Sequence, residues 1–255
     1  MVGLERSELK KLWEAEEAKG FQGWDFSALN GRLEEEELPW DYRAMVQQHL
    51  HQETVMLDMG TGGGEFLLSL SPPPGRTYAT EAYQPNYELC QAKLPAYGIE
   101  VAKVEEDDRL PYQDEFFDLV INRHESFSAR EVYRILKPGG VFITQQVGGQ
   151  NNRELSRYLL GEGAMETPAN FDLAHTVRDL TEAGYTVEVQ QEFFPEVRFR
   201  EIGALVYYAK IIEWEFAGFS VERCFEKLCE LQDQLEQTGY VSSREHRFMI
   251  LARRG

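Results

Sequence analysis

The chain has 255 residues, 42% of them hydrophobic and 12% aromatic, and a formal net charge of −18. That length can bury a large core as one domain, or as one domain with a cap. No run of 18 apolar residues occurs, which argues against a membrane partner through a spanning helix. Acidic residues outnumber basic ones 44 to 26, which argues against a nucleic-acid partner, because such binding replaces counterions with a basic face. Only a local patch, drawn from Arg198, Arg200, Arg253 and Arg254, could serve that role. The charged start, Met1 to Lys19, lacks the apolar centre of a signal peptide. Cys90, Cys224 and Cys229 are too few and scattered for a disulfide framework, and no Cys/His cluster has zinc spacing. A reducing, cytoplasmic setting and no metal are expected.

Residues 4–19 read as an amphipathic helix carrying Leu4, Leu9, Leu12 and Trp13. Gly23-Trp24-Asp25-Phe26-Ser27 and Leu38-Pro39-Trp40-Asp41-Tyr42 follow, with the acid run Glu34–Glu37 between them. A second helix is predicted over Tyr42–Leu50. Strands and helices then alternate: strands at Val55–Met59, Thr77–Thr80, Glu100–Val104 and Phe117–Asn122, helices at Phe66–Leu70 and Tyr87–Leu94. Ser128 and Glu131 form a capping-box signal for the next helix. Leu136-Lys137-Pro138-Gly139-Gly140 closes it, before a strand at Val141–Val147. A helix over 171–184 ends at Gly184, and Tyr185–Gln191 and Arg247–Ala252 read as the last two strands. Between these lies an insert of roughly 45 residues with two predicted helices, Ile202–Phe216 and Val221–Gln237.

This pattern predicts an α/β fold: a Rossmann-like, seven-stranded, mostly parallel sheet with helices on both faces. A helical N-terminal segment and a helical insert between the last two strands complete it. The expected division is a helical cover over residues 1–52, a core over 53–195 and 243–255, and a helical cap over 196–242. The insert reads as a substrate cap or an oligomer surface.

The most informative stretch is Val55-Met56-Leu57-Asp58-Met59-Gly60-Thr61-Gly62-Gly63-Gly64-Glu65-Phe66. A short apolar run ends in an acid, a glycine-rich turn follows, and a helix begins. Such a turn lets a ligand lie against bare backbone at a helix N-terminus. The spacing is Asp-x-Gly-x-Gly-x-Gly. The dinucleotide fingerprint Gly-x-Gly-x-x-Gly fails from Gly60, where Glu65 stands last, and from Gly62, where Leu67 does. The loop resembles the first motif of class I S-adenosylmethionine-dependent methyltransferases, of the ubiquinone/menaquinone-biosynthesis type.

The resemblance extends over roughly residues 50–150. It implies S-adenosylmethionine as cofactor, with Asp58, Gly60, Thr61, Gly62 and Gly64 forming its cradle. Glu81, with Ala82 beside it, resembles the acid that accepts both ribose hydroxyls; a solvated strand-end glutamate is the plain alternative. Tyr83 could pack on adenine or in the core. Glu105-Glu106-Asp107-Asp108-Arg109-Leu110-Pro111-Tyr112 resembles the segment whose acid recognises the adenine amine. Either Glu106 or Asp107 could fill that role. Phe116-Phe117-Asp118-Leu119-Val120 and Leu136-Lys137-Pro138-Gly139-Gly140 match scaffold motifs, with Lys137 read as a helix C-terminal charge.

Asn122-Arg123-His124-Glu125 follows the fourth strand, where ligands of open α/β sheets bind. Asn122 is a candidate for the methionine amino group and His124 for a general base, although lone histidines are commonly structural. Gln145 and Gln146 could face the same pocket. Trp40 and Tyr42 are candidates for contact with substrate or sulfonium, Arg32 for clamping a carboxylate, and Trp24 for a core aromatic.

The expected activity is methyl transfer, in one in-line displacement, to a small-molecule acceptor. The alternatives are an RNA or protein methyltransferase and a non-catalytic binder of S-adenosylmethionine or S-adenosylhomocysteine.

Overall fold

The computed structural model describes residues 5–21 and 26–255. Leu4 and the Gly23-Trp24-Asp25 stretch, given roles above, lie outside the described residues. In chain order the elements are α1 (Arg6–Glu17), a 3-10 turn (Ser27–Leu29), β1 (Leu33–Glu35), α2 (Tyr42–His49), β2 (Met56–Met59), α3 (Glu65–Ser69), β3 (Thr77–Glu81) and α4 (Gln84–Lys93). A second 3-10 turn (Leu94–Tyr97), β4 (Ile99–Lys103), β5 (Phe117–Arg123), α5 (Ala129–Ile135), β6 (Leu136–Val147), α6 (Arg153–Leu160), α7 (Leu173–Ala183) and β7 (Tyr185–Phe193) follow. The chain ends with β8 (Glu196–Phe199), α8 (Ile202–Ile211), α9 (Val221–Thr238), β9 (Val241–Arg244) and β10 (Arg247–Arg254).

The chain divides into two compact units. One comprises Pro39–Val147, Asp172–Phe193 and Arg247–Gly255, and holds the seven-stranded sheet in the order β4-β3-β2-β5-β6-β10-β7. The pairs from β4 to β6 are parallel, and β10 runs antiparallel to both β6 and β7. This is the expected Rossmann-like sheet. All four residues of β2 are buried, as a strand needs when it has neighbours on both edges and helices on both faces. From β2 the chain winds out through β3 and β4, then returns to pair β5 on the other edge of β2. That reversal puts the topological switch point at the carboxyl ends of β2 and β5, the usual ligand position in such sheets.

Local chemistry explains the element ends. Asp41 caps α2 by accepting the Ala44 N–H at 2.9 Å, and Asp172 caps α7 by accepting that of His175 at 2.9 Å. Ser128 caps α5 with a long bond, 3.4 Å from the Glu131 N–H. Glu131 does not return the second bond of a capping box. Its carboxylate accepts the Leu110 N–H at 2.7 Å and pairs with Arg134. Lys137 serves as an ion-pair partner of Asp118 at 2.7 Å.

The other unit comprises Met1–Leu38, Gly148–Phe171 and Phe194–His246. It contains α1, α6, α8 and α9 and a three-stranded antiparallel sheet in the order β1-β8-β9. Its core gathers Trp13, Phe199, Leu205, Val206, Phe216 and Leu228. The helix α8 is buried from Ile202 to Ala209, which explains its nearly unbroken apolar sequence.

The observed division differs from the expected boundaries. Residues 39–52 go with the large sheet, because Tyr42 and Val46 of α2 pack into its core. Residues 148–171 go with the helical unit, because Leu155 and Leu159 of α6 enter that unit's core. The insert also holds two strands, β8 and β9, besides its helices. The acid run contributes β1, where Glu34 pairs with Arg200 at 2.6 Å. Among the described residues no helix is long and apolar enough to cross a membrane.

Candidate active site

The turn after β2 is built around backbone that must come close to other groups. Gly60 has φ +67°, in the left-handed region, and a Cβ added there would lie 2.5 Å from the Glu125 Cγ. Gly64, at φ +76°, opens α3, and a Cβ there would lie 2.8 Å from a Leu94 methyl. The loop is braced from beneath: the Cys90 thiol donates to the Gly62 carbonyl at 3.0 Å, and Lys93 Nζ donates to that of Gly63 at 3.0 Å. Burial, with Glu81 nearby, pushes the Cys90 thiol up to about 11, so it stays protonated and unreactive.

Four carboxylates surround this turn. Asp58 ends the apolar part of β2 and is 4% exposed. Burial pushes its pKa up to about 7, against the pull of Thr61 and Arg123. The buried Thr61 hydroxyl has no partner in full hydrogen-bond geometry, although it lies close enough to favour ionised Asp58. Glu81, at the end of β3, is buried and committed to backbone: Oε2 accepts the Gly62 N–H at 2.8 Å, and Oε1 accepts the Tyr83 N–H at 2.9 Å. Each oxygen keeps a second lone pair for a ligand hydroxyl. Ala82 and Tyr83 are exposed.

In the acid segment after β4, Glu106 is exposed while Asp107 is half-buried and accepts from the Ser126 hydroxyl. Asp107 is therefore the more buried of the two acids and the one tied to the loop after β5. Glu125 is the fourth carboxylate, and the sequence reading assigned it no role. Its side chain lies over Gly60, and burial, then Asp107 and Glu81, raise its pKa. The available signal was its place next to His124, at the carboxyl end of β5.

Beyond β5 the predicted residues separate into two groups. Asn122 is fully buried: its Oδ1 accepts from Thr144 Oγ1 at 2.9 Å and Gln146 Nε2 at 2.5 Å, and its main-chain carbonyl accepts from the Tyr42 hydroxyl at 3.0 Å. Tyr42 sits in the core, its hydroxyl also 3.2 Å from the Ile143 carbonyl, and burial raises its pKa. Asn122, Tyr42 and Gln146 thus form a scaffold behind the switch point.

The second group is a chain of three side chains. Trp40 Nε1–H donates to Gln145 Oε1 at 2.8 Å, and Gln145 Nε2 lies 3.0 Å from His124 Nε2. His124 has φ +61°, in the left-handed region that few non-glycine residues adopt, histidine more often than most. Surrounding protein, then Arg247 and Arg123, lower its pKa; the residue is solvent-exposed, and that screening limits the fall. Arg123 itself stacks over the Phe66 ring at 4.3 Å.

Arg32, a candidate for clamping a carboxylate, is already ion-paired. It belongs to the helical unit, where it pairs with Glu16 at 3.0 Å and with Glu201. The four candidate basic-patch residues are likewise paired: Arg198 with Glu196, Arg200 with Glu34, Arg253 with Glu188 and Arg254 with Glu115. Among the described residues no cluster of His, Cys, Asp and Glu could hold a metal ion.

Residues 57–144, which contain the glycine turn and all four carboxylates, match the family described as "Methyltransferase domain". This segment is a methyltransferase domain, and the sheet that carries it has the class I S-adenosylmethionine-dependent methyltransferase fold. No curated protein matches it in sequence. Among solved structures, a candidate methyltransferase from Bacillus halodurans C-125 is 17% identical with a TM-score of 0.60, over 84% of this chain and 98% of that one. A protein of unknown function from Deinococcus radiodurans R1 is 14% identical with a TM-score of 0.59, over 98% of this chain and all (100%) of that one. A candidate sarcosine dimethylglycine methyltransferase from Galdieria sulphuraria is 15% identical with a TM-score of 0.51, over 83% of this chain and 82% of that one. At these identities the likeness is one of fold.

The methyltransferase's methyl donor is S-adenosylmethionine. The site's donors and acceptors fit that group. Bare backbone at Gly60 admits a close approach, the orphaned Thr61 hydroxyl has a free bond to make, and the acids around the turn suit a ligand with positive charge.

Proposed function

We propose that this methyltransferase moves the methyl group to a small-molecule acceptor in one in-line displacement. The observation that supports the cofactor assignment best is the bond from Gly62 N–H to buried Glu81, which ties the glycine turn to a ribose-ready carboxylate. In this reading Glu81 accepts from the ribose hydroxyls, with Ala82 beside them. Asp107, in preference to Glu106, accepts from the adenine amine. Gly60, Thr61, Gly62 and Gly64 carry the amino-acid end, with Asp58 beneath them.

When bound, the cofactor supplies the electrophilic methyl group. The chain's own residues bind, orient and exclude water, and positioning of that kind can supply several kcal/mol, up to about 7–11. Asn122 and Tyr42 act by holding the ends of β5 and β6 in place, and Asn122 can meet the ligand through its backbone. Trp40, Gln145 and His124 face the acceptor. The pairing of Arg198, Arg200, Arg253 and Arg254 with carboxylates favours a small acceptor over RNA, since charges already neutralised offer little to a phosphate backbone.

The first test is thermal unfolding with S-adenosylmethionine, S-adenosylhomocysteine or NAD. A ligand at 100 times its Kd stabilises by about 2.7 kcal/mol, a shift of several degrees. The two adenosyl ligands are expected to give it and NAD is not. The acceptor class is tested with methyl-labelled cofactor and fractionated cell extract. Label in the low-mass fraction supports the reading, and label only in RNA or protein overturns it.

A further inference from the structure

The chain Trp40–Gln145–His124 decides which nitrogen of His124 carries the proton. An indole N–H can only donate, so the Gln145 atom 2.8 Å from Trp40 Nε1 must be the carbonyl oxygen. The amide nitrogen then faces His124 Nε2 at 3.0 Å, and it can only donate too. His124 Nε2 is therefore the acceptor, and the neutral ring carries its proton on Nδ1. The backbone reinforces the arrangement: the His124 N–H donates to the Gln145 carbonyl at 2.8 Å, and Arg123 is in register with Gln145 across β5 and β6.

This geometry changes the role of the histidine. A general base needs a free lone pair, and the one at Nε2 is taken. Nδ1 has no partner among the described residues, and it presents an N–H. We propose that His124 acts as a neutral hydrogen-bond donor through Nδ1, and that the acceptor presents an anionic oxygen to it, a carboxylate or a phenolate-type oxygen. The positive charges of Arg123 and Arg247 act on the same ring. They oppose its protonation and favour an anion beside it. Trp40 and Gln145 are positioning residues in this scheme. The cradle for the cationic cofactor is ringed by Asp58, Glu81, Asp107 and Glu125, so the two ligands would meet opposite fields. The inference rests on the methyl-transfer reading only in calling that ligand the acceptor.

Nitrogen-15 NMR of histidine-labelled protein, with His124 assigned by the His124→Asn spectrum, tests the tautomer directly. The expected result is an Nδ1–H ring that is still neutral well below the ordinary histidine value of about 6.5. In Gln145→Glu, the carboxylate must accept from His124, so the proton is expected to move to Nε2 and the ring to titrate at higher pH. An Nε2–H ring in the wild type, or titration near the ordinary histidine value of about 6.5, would overturn the proposal. Benzoate and benzylamine, added to protein saturated with S-adenosylhomocysteine, test the ligand class. Benzoate is expected to shift the Nδ1 resonance; a shift with benzylamine alone, or with neither, counts against an anionic acceptor. The tautomer needs neither cofactor nor turnover, so failure of cofactor binding, which would sink the methyl-transfer reading, is seen separately.

Discussion

The Glu81 carboxylate and the Gly62 N–H are joined by a 2.8 Å hydrogen bond that spans the gap between β3 and the turn after β2. A buried charged acceptor on a backbone donor is a strong bond, and here it holds both the loop and the ligand-facing acid. Removing the carboxylate therefore acts twice. Glu81→Ala is expected to weaken S-adenosylmethionine by about 1–3 kcal/mol, the size of lost bonds to a charged group, and to lower Tm without ligand. Isothermal titration and calorimetry measure the two. Unchanged affinity in folded protein would remove the ribose assignment.

The elements around that bond were legible because their residues obey local rules. Met56–Met59 is apolar and bounded by a turn, and Ser128 announces its helix by its capping chemistry. The three-stranded sheet was not legible. Leu33–Glu35 looks like part of an acid run until Arg198 and Arg200, far along the chain, lie across from it. Strands of three or four residues have too little periodicity to read. The choice between Glu106 and Asp107 also needed tertiary information, because only the fold brings Ser126 to one of them. His124 was legible as a candidate from its place after β5, but its tautomer depends on Trp40 and Gln145, which are distant in sequence.

The raised pKa of Asp58 makes cofactor binding depend on pH. In the folded, ligand-free protein this acid holds its proton up to about pH 7, whereas in the unfolded chain it is lost near 3.8. Its contribution to stability therefore falls as pH rises through that window and levels off above it. A cationic ligand favours the charged form, so affinity for S-adenosylmethionine is expected to rise from about pH 5.5 to 7.5, with proton release on binding. Titration calorimetry in two buffers of different ionisation enthalpy measures the release. Asp58→Asn is expected to abolish the slope, and to stabilise the free protein at about pH 8 by roughly 1–3 kcal/mol. A pH-independent wild-type affinity would contradict this account.

Gly60 is the tightest point of the turn. Alanine there meets two costs, a left-handed φ of about 1–2 kcal/mol and contact with the Glu125 side chain. Gly60→Ala is expected to lose S-adenosylmethionine binding and to lower stability by roughly 2 kcal/mol or more. Glu125→Gly in the same protein removes every contacting atom, the Cβ at 2.6 Å included, so it should restore part of the stability. Denaturant unfolding of the single and double variants separates the two costs. A double variant no more stable than Gly60→Ala would show that Glu125 yields without cost.

Asp107 and Glu106 are adjacent, both acidic, and differ in burial, so one pair of variants decides which of them meets the adenine. A half-buried carboxylate already held by Ser126 has little freedom to lose when it accepts from an amine. An exposed glutamate would first have to be ordered, at the cost of its side-chain entropy. Asp107→Asn is therefore expected to weaken S-adenosylhomocysteine about tenfold, near 1.4 kcal/mol, because the amide offers the adenine amine a poorer acceptor. Glu106→Gln should stay within about twofold, well inside the small change typical of exposed substitutions. The contrast is measured with the uncharged thioether, so that the net charge common to both variants acts on no sulfonium. Equal losses would mean that the acid segment works through its summed field, and a larger loss at Glu106 would reverse the assignment.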